Sequence, residues 1–151
     1  LVSHSMGGVS ALCYLLEYAG DKTPLTERFV TIAAPFNDLE IAEDTEDIFA
    51  YELTENGPSG ETPIYQYFDR AMNKLPANLR VLDVAGDLED GTESDGVVSI
   101  HSAFALRLLF QKHAKSYREV TVKGNSGGHS AITKSDQLEA ELVRFIWQKT
   151  T

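Results

Sequence analysis

The stretch Ser3-His4-Ser5-Met6-Gly7-Gly8 constrains this chain more than any other feature of it. It stands between Leu1-Val2, which read as the end of a strand, and an apolar run from Val9 to Tyr18 that reads as a helix stopped at Gly20. A serine at such a junction fits the small-x-Ser-x-Gly pattern of a tight strand-to-helix turn. The demand is steric. The turn strains the serine backbone, and strand and helix pass closely only if the residues two positions away, Ser3 and Gly7, are small. Ser5 then lies at a helix N-terminus, where free N–H groups and the helix dipole favour negative charge. Alone the pattern is loose, because glycine-flanked serines also occur in ordinary turns. Its weight depends on what the rest of the chain supplies.

The rest reads as alternating strands and helices. The helix after the turn carries Ala11, Leu12, Cys13, Leu15 and Leu16 and is apolar on most faces, which predicts packing on both sides. Phe29 to Ala34 is a short continuous apolar strand ended by Pro35, a pattern suited to a parallel sheet covered on both faces. Leu79 to Ala85 is a further strand, ending at Gly86, and Tyr117 to Val122 a last one. Ser102 reads as the cap of a helix carrying Phe104, Leu106, Leu108, Leu109 and Phe110. The final helix starts at Asp136, with Glu139 in a capping-box-like position and Leu138, Leu142, Val143, Phe145 and Ile146 spaced for one buried face. This order predicts an α/β fold with a mainly parallel sheet flanked by helices. Residues 37–78 interrupt it: between Arg28 and Arg70 there is no basic residue, while carboxylates and aromatics accumulate. The segment is too long for a plain connection and reads either as a solvated acidic insertion or as a lid over a substrate.

Charge and cysteine content exclude several classes. With 13 Lys+Arg against 23 Asp+Glu, the formal charge of −10 opposes binding to nucleic acid or to an anionic membrane surface. The single cysteine, Cys13, permits no internal disulfide and no paired-cysteine zinc site, and reads as a small core residue. Asp87, Asp90, Glu93 and Asp95 could offer oxygen ligands to Ca²⁺, but they lack the EF-hand spacing, so no metal is assigned.

A reactive serine needs a base, and the base needs a carboxylate to fix its tautomer. In this topology both belong on loops after later strands, in the order Ser, acid, His. Asp87, Asp90 and Asp95 follow the strand ending near Ala85, and His129 follows the strand ending near Val122, in a glycine-rich loop. These are C-terminal strand ends, where the ligand sites of open parallel sheets collect. His4 adjoins Ser5, but the neighbour of a serine in such a tight turn points away from it, so His4 reads as a packed structural histidine. His101 and His113 lie in or near a helix and read as solvent-facing, and Trp147 reads as packing.

His4-Ser5-Met6-Gly7-Gly8, the strand end Ala33-Ala34-Pro35-Phe36, and Asp95-Gly96-Val97-Val98 followed by Ser102-Ala103 resemble the α/β-hydrolase superfamily. The run from Gly86 to Gly96, with Gly128-His129-Ser130, is similar to a lipase-related bacterial family of cell-surface hydrolases of undetermined substrate. The resemblance covers nearly the whole chain. It implies Ser5 as nucleophile on a nucleophile elbow with Gly7 and Gly8, and His129 as general base. It favours Asp95 over Asp87 and Asp90 as the acid, and implies the Met6 backbone N–H as an oxyanion donor. Ser3 departs from the glycine usual there but is small enough for the turn.

The implied activity is cleavage of a carboxylic ester through an acyl-enzyme, lipase- or esterase-like, on a small-molecule ester or acyl substrate and without a cofactor. Acyl transfer or amide cleavage by the same residues, or a non-catalytic binding module on a hydrolase scaffold, are the alternatives. The resemblance also implies that 1–151 is the C-terminal portion of one domain, lacking the earlier strands and the loop with a second oxyanion N–H. A stretch of roughly 90–120 residues upstream would complete it. Alone, 1–151 is expected to fold poorly and hydrolyse little. A bacterial cell-surface or extracellular location is implied, with any membrane association residing in that missing N-terminal part.

Overall fold

Among the described residues, four parallel strands form a sheet, β1 (Val2–His4), β2 (Arg28–Ile32), β3 (Arg80–Asp87) and β4 (Ser116–Lys123), side by side in chain order. A computed structural model describes residues 1–18, 26–37 and 63–147. The helices are α1 (Met6–Tyr18), α2 (Pro63–Ala71), α3 (Ile100–Ala103), α4 (Arg107–His113) and α5 (Asp136–Trp147). The expected α/β architecture, a parallel sheet flanked by helices, is the one observed.

Alternation along the strands divides the core. Phe29 and Val81 face a cluster with Leu12, Leu15 and Leu16 of α1, Phe68 of α2, and Leu109 and Phe110 of α4. Val30, Ile32, Leu82, Val84 and Val122 face the other side, against Ile132 and Leu138 with Leu142 and Phe145 of α5. Both faces are therefore covered, as the continuous apolar strands required. Phe36 stands edge-on to both Phe68 and Phe110, the favourable geometry for aromatic quadrupoles.

Two buried polar residues, Thr31 and Asp83, pair across β2 and β3 on the first face. Asp83, fully buried in β3, accepts a hydrogen bond from Thr31 Oγ1 at 2.6 Å, and the Tyr117 hydroxyl lies 3.1 Å from its other oxygen. That hydroxyl also lies 2.7 Å from Glu119 Oε1, and Glu119 pairs with Arg107. Burial pushes the Asp83 carboxyl up to about 7, against the opposing pull of the Thr31 and Tyr117 hydrogen bonds.

Several local expectations are corrected. The residue capping α3 is Ser99, whose side chain accepts from the Ser102 N–H; Ser102 itself is buried and accepts from the Asn37 N–H. The helix expected across 102–110 is two, because the chain turns at Phe104 to Leu106 between α3 and α4. α5 starts at Asp136 as expected, but its first turn is held by Ser135, whose side chain accepts from Leu138 N–H and whose carbonyl accepts from Glu139 N–H. Val143 and Trp147 face outward, Trp147 being 77% exposed, so neither packs as anticipated. Among the described residues α1 buries one face only, and Tyr14 and Tyr18 are exposed. His113 is half-buried at the end of α4, while His101 is exposed.

Gly20 and residues 38–62 of the acidic segment lie outside the described residues. The last part of that segment forms α2 and contributes Phe68, Ala71, Met72 and Leu75 to the core. Cys13 is half-buried against the same cluster, and burial raises its thiol pKa. No helix among the described residues is long and apolar enough to cross a membrane.

Candidate active site

Ser5 is the single residue between β1 and α1, and its φ of +55° places it in the left-handed region. For a residue with a side chain that conformation costs of order 1–3 kcal/mol, so surrounding contacts must hold it. They do: Ser5 N–H donates to Ile32 O at 2.8 Å, its carbonyl accepts from Gly8 N–H, and Ser3 Oγ donates to Val30 O. The tight contact falls at Gly8 rather than Gly7. A Cβ on Gly8 would stand 2.5 Å from the Ala34 Cβ, whereas one on Gly7 would meet nothing within 4 Å. The small residue demanded by helix–strand packing is therefore three positions after Ser5, where α1 crosses the end of β2.

Asp95 lies in the loop after β3, and its side chain is wholly buried. One carboxylate oxygen accepts from the Val97 and Val98 N–H groups, at 2.9 and 2.6 Å. The other faces His129 Nδ1 at 2.7 Å. Of the other acids of this loop, Asp87 accepts from Glu89 N–H and Asp90 from Thr92, so both serve the loop's own turns. The Thr92 hydrogen bonds hold the exposed Asp90 carboxyl below its ordinary value. Among the described residues no group of three or more His, Cys, Asp or Glu is placed to hold a metal ion.

His129 follows a turn of 3₁₀ form at Gly124–Gly127 after β4. Its Nε2 lies 2.9 Å from Ser5 Oγ. Ser5, His129 and Asp95, separated by up to 124 positions, thus form one continuous hydrogen-bonded chain. The proton positions follow from chemistry. A carboxylate only accepts, so Nδ1 carries the proton and Nε2 offers its lone pair to the Ser5 hydroxyl. With 16% of its side chain exposed against none for Asp95, the imidazole bridges a buried charge and an accessible hydroxyl. Met6 opens α1, so its N–H has no acceptor within the helix and lies beside Ser5.

His4 is not turned away from this group. Its Nε2 lies 2.8 Å from the His129 carbonyl oxygen, and the two rings stand 4.8 Å apart at 42°. It packs, as expected of a structural histidine, but against a partner that adjacency to Ser5 does not reveal. What brings His4 into contact is the His129 loop, which passes over the end of β1.

Residues 1–149 match a family described as alpha/beta hydrolases of unknown function. The lin2722 gene product of Listeria innocua, known from its crystal structure, is 31% identical with a TM-score of 0.81, over 99% of this chain and 58% of its own. The "putative cell surface hydrolase" of Lactobacillus plantarum WCFS1 is 24% identical with a TM-score of 0.69, over 99% of this chain and 54% of its own. A lipase-esterase related protein of Clostridium acetobutylicum ATCC 824 shares the fold at 13% identity and a TM-score of 0.52, over 97% of this chain and 65% of its own. The chain spans little more than half the length of the first two. No curated protein matches it in sequence.

Proposed function

The chain belongs to a family of α/β hydrolases of unknown function, and from that premise we propose that it is a serine hydrolase acting on carboxylic esters, lipase- or esterase-like. The observation that carries the proposal is the unbroken run of contacts from Ser5 Oγ through His129 to the buried Asp95. In the proposed reaction Ser5 Oγ attacks the acyl carbonyl and its proton passes to His129 Nε2. The new C–O bond gives a tetrahedral oxyanion beside the Met6 N–H, a donor class whose removal costs on the order of 10²–10³ in rate. The ester C–O bond then breaks, the leaving alcohol takes the proton from Nε2, and water hydrolyses the acyl-enzyme by the same steps in reverse order. Asp95 holds the Nδ1 proton and stabilises the imidazolium that forms. By its resemblance to cell-surface hydrolases the protein is further proposed to act outside the cytoplasm.

A fluorophosphonate probe tests the reading without knowledge of the substrate. The intact protein is expected to gain one adduct, on Ser5, and Ser5→Ala and His129→Ala variants none. A folded protein, verified by circular dichroism, whose Ser5 stays unlabelled would overturn it.

A further inference from the structure

We infer that His4 is a positioning residue, which locks the His129 backbone to the strand that carries Ser5; the inference rests on the hydrolase reading above. His129 lies in a loop with glycines at 127 and 128, and glycine loops do not by themselves hold a side chain to a few tenths of an ångström. Two contacts fix its main chain. Its N–H donates to the Asp95 carbonyl at 3.0 Å, and its own carbonyl faces His4 Nε2 at 2.8 Å. A carbonyl only accepts, so His4 carries a proton on Nε2 and donates it.

The two tethers lead to different bodies. The first ties the base to the loop of its acid. The second ties it to β1, where His4 pairs in register with Ile32 and the next residue, Ser5, donates to Ile32 O. His4 and Ser5 are thus consecutive on one rigid strand end. The hydrogen bond from His4 therefore spans the same gap as the 2.9 Å contact between His129 Nε2 and Ser5 Oγ. The tilted ring contact at 4.8 Å closes the remaining freedom of the imidazole. Since a displacement of about 1 Å between reacting groups can cost on the order of 10²-fold in rate, a tether that leaves part of that displacement unrestrained when cut should cost about tenfold.

The experiment compares His4→Phe, His4→Gln and His4→Asn in the intact protein by the kinetics of fluorophosphonate labelling. Phe keeps the ring and loses the donor, Gln places an amide N–H close to where Nε2 stands, and Asn is polar but too short to reach. The maximal labelling rate is expected to fall about tenfold for H4F and H4N, with the probe concentration at half-maximum unchanged, and to recover in H4Q. Wild-type labelling by H4F would overturn the inference, and so would equal losses in H4F and H4Q that track lost thermal stability. The proton resonance of His129 Nδ1–H gives a second readout that does not depend on reactivity. It is expected to broaden in H4F and sharpen again in H4Q. A wild-type protein that does not label refutes the hydrolase reading alone; an H4F resonance as sharp as wild type refutes the positioning role in either case.

Discussion

Asp95→Asn alters one atom of the hydrogen-bonded chain, and the structure dictates how the new amide must sit. One oxygen of Asp95 accepts two backbone N–H groups, from Val97 and Val98. Turning the amide so that its NH₂ faced them would leave two buried donors without an acceptor, at roughly 1–3 kcal/mol each. The amide therefore keeps its oxygen there and presents its NH₂ to His129 Nδ1, across the 2.7 Å now spanned by a charge-assisted bond. Two donors cannot share that contact, so the imidazole gives up its Nδ1 proton and carries one on Nε2 instead. Nε2 faces Ser5 Oγ, and the serine loses the proton acceptor that the proposed mechanism requires. The second-order rate of fluorophosphonate labelling should fall on the order of 10⁴-fold. That factor is about 5.5 kcal/mol, and flipping the amide at both N–H groups would cost roughly 2–6 kcal/mol, so the flipped amide restores only part of the rate. Labelling is followed by intact mass, with melting curves to verify that the fold is unchanged. If D95N reacts within tenfold of a reactive wild type, the tautomer argument is wrong.

Three further expectations concern stability. Ser5→Gly removes the side-chain strain of a φ of +55° and should raise the unfolding free energy by about 1 kcal/mol while abolishing labelling; a stability gain in Ser5→Ala as well would point away from backbone strain. Gly8→Ala should destabilise by roughly 1–3 kcal/mol because its Cβ would stand 2.5 Å from that of Ala34, whereas Gly7→Ala, with open space around it, should be neutral or slightly stabilising in urea denaturation. Asp83 gives a pH dependence. Its carboxyl titrates near 7 in the fold against 3.8 when free, so the stability it contributes is complete below about 4 and is lost as pH rises through 7. At about 1.4 kcal/mol per tenfold change in proton affinity the loss is at most roughly 4 kcal/mol. Asp83→Asn should flatten the curve between pH 4 and 8, and parallel pH profiles for variant and wild type would show that burial does not tune this acid.

The sequence was informative wherever one residue type had to answer a local demand. A serine among small residues at a strand–helix junction implied the turn that Ser5 makes, and apolar runs without alternation implied strands covered on both faces. Chain order then put Asp95 and His129 after β3 and β4, where they lie. Contacts set by tertiary approach were out of view. Gly7 and Gly8 are equal in the sequence, yet only Gly8 meets Ala34. Asp83 was one residue of an apolar strand, and nothing local reveals that β2 and β4 present Thr31 and Tyr117 to it. That His4 packs was legible, but its partner was not, being a main-chain carbonyl 125 positions away.

The least legible element is what closes the site. Four strands side by side put the ends of β1 and β4 three spacings apart, about 14 Å at roughly 4.8 Å each. Ser5 follows the first and His129 the last, yet their side chains are in hydrogen-bond contact. Strand order therefore does not assemble the site; the loop after β4 must lean back across the end of β3. It does so at Gly86 and Gly127. A Cβ on Gly86 would lie 2.0 Å from the Gly127 carbonyl oxygen and 2.8 Å from the Asp95 Cβ, and one on Gly127 would lie 2.4 Å from the Val122 oxygen. Bare backbone on both sides lets the loop pass directly over the strand end, with Asp95 packed beside it and the Asp95 carbonyl receiving the His129 N–H. A glycine at the end of a strand reads in sequence only as a stop. Here the two glycines leave room for the His129 loop to cross the end of β3, and that crossing brings His129 to Ser5.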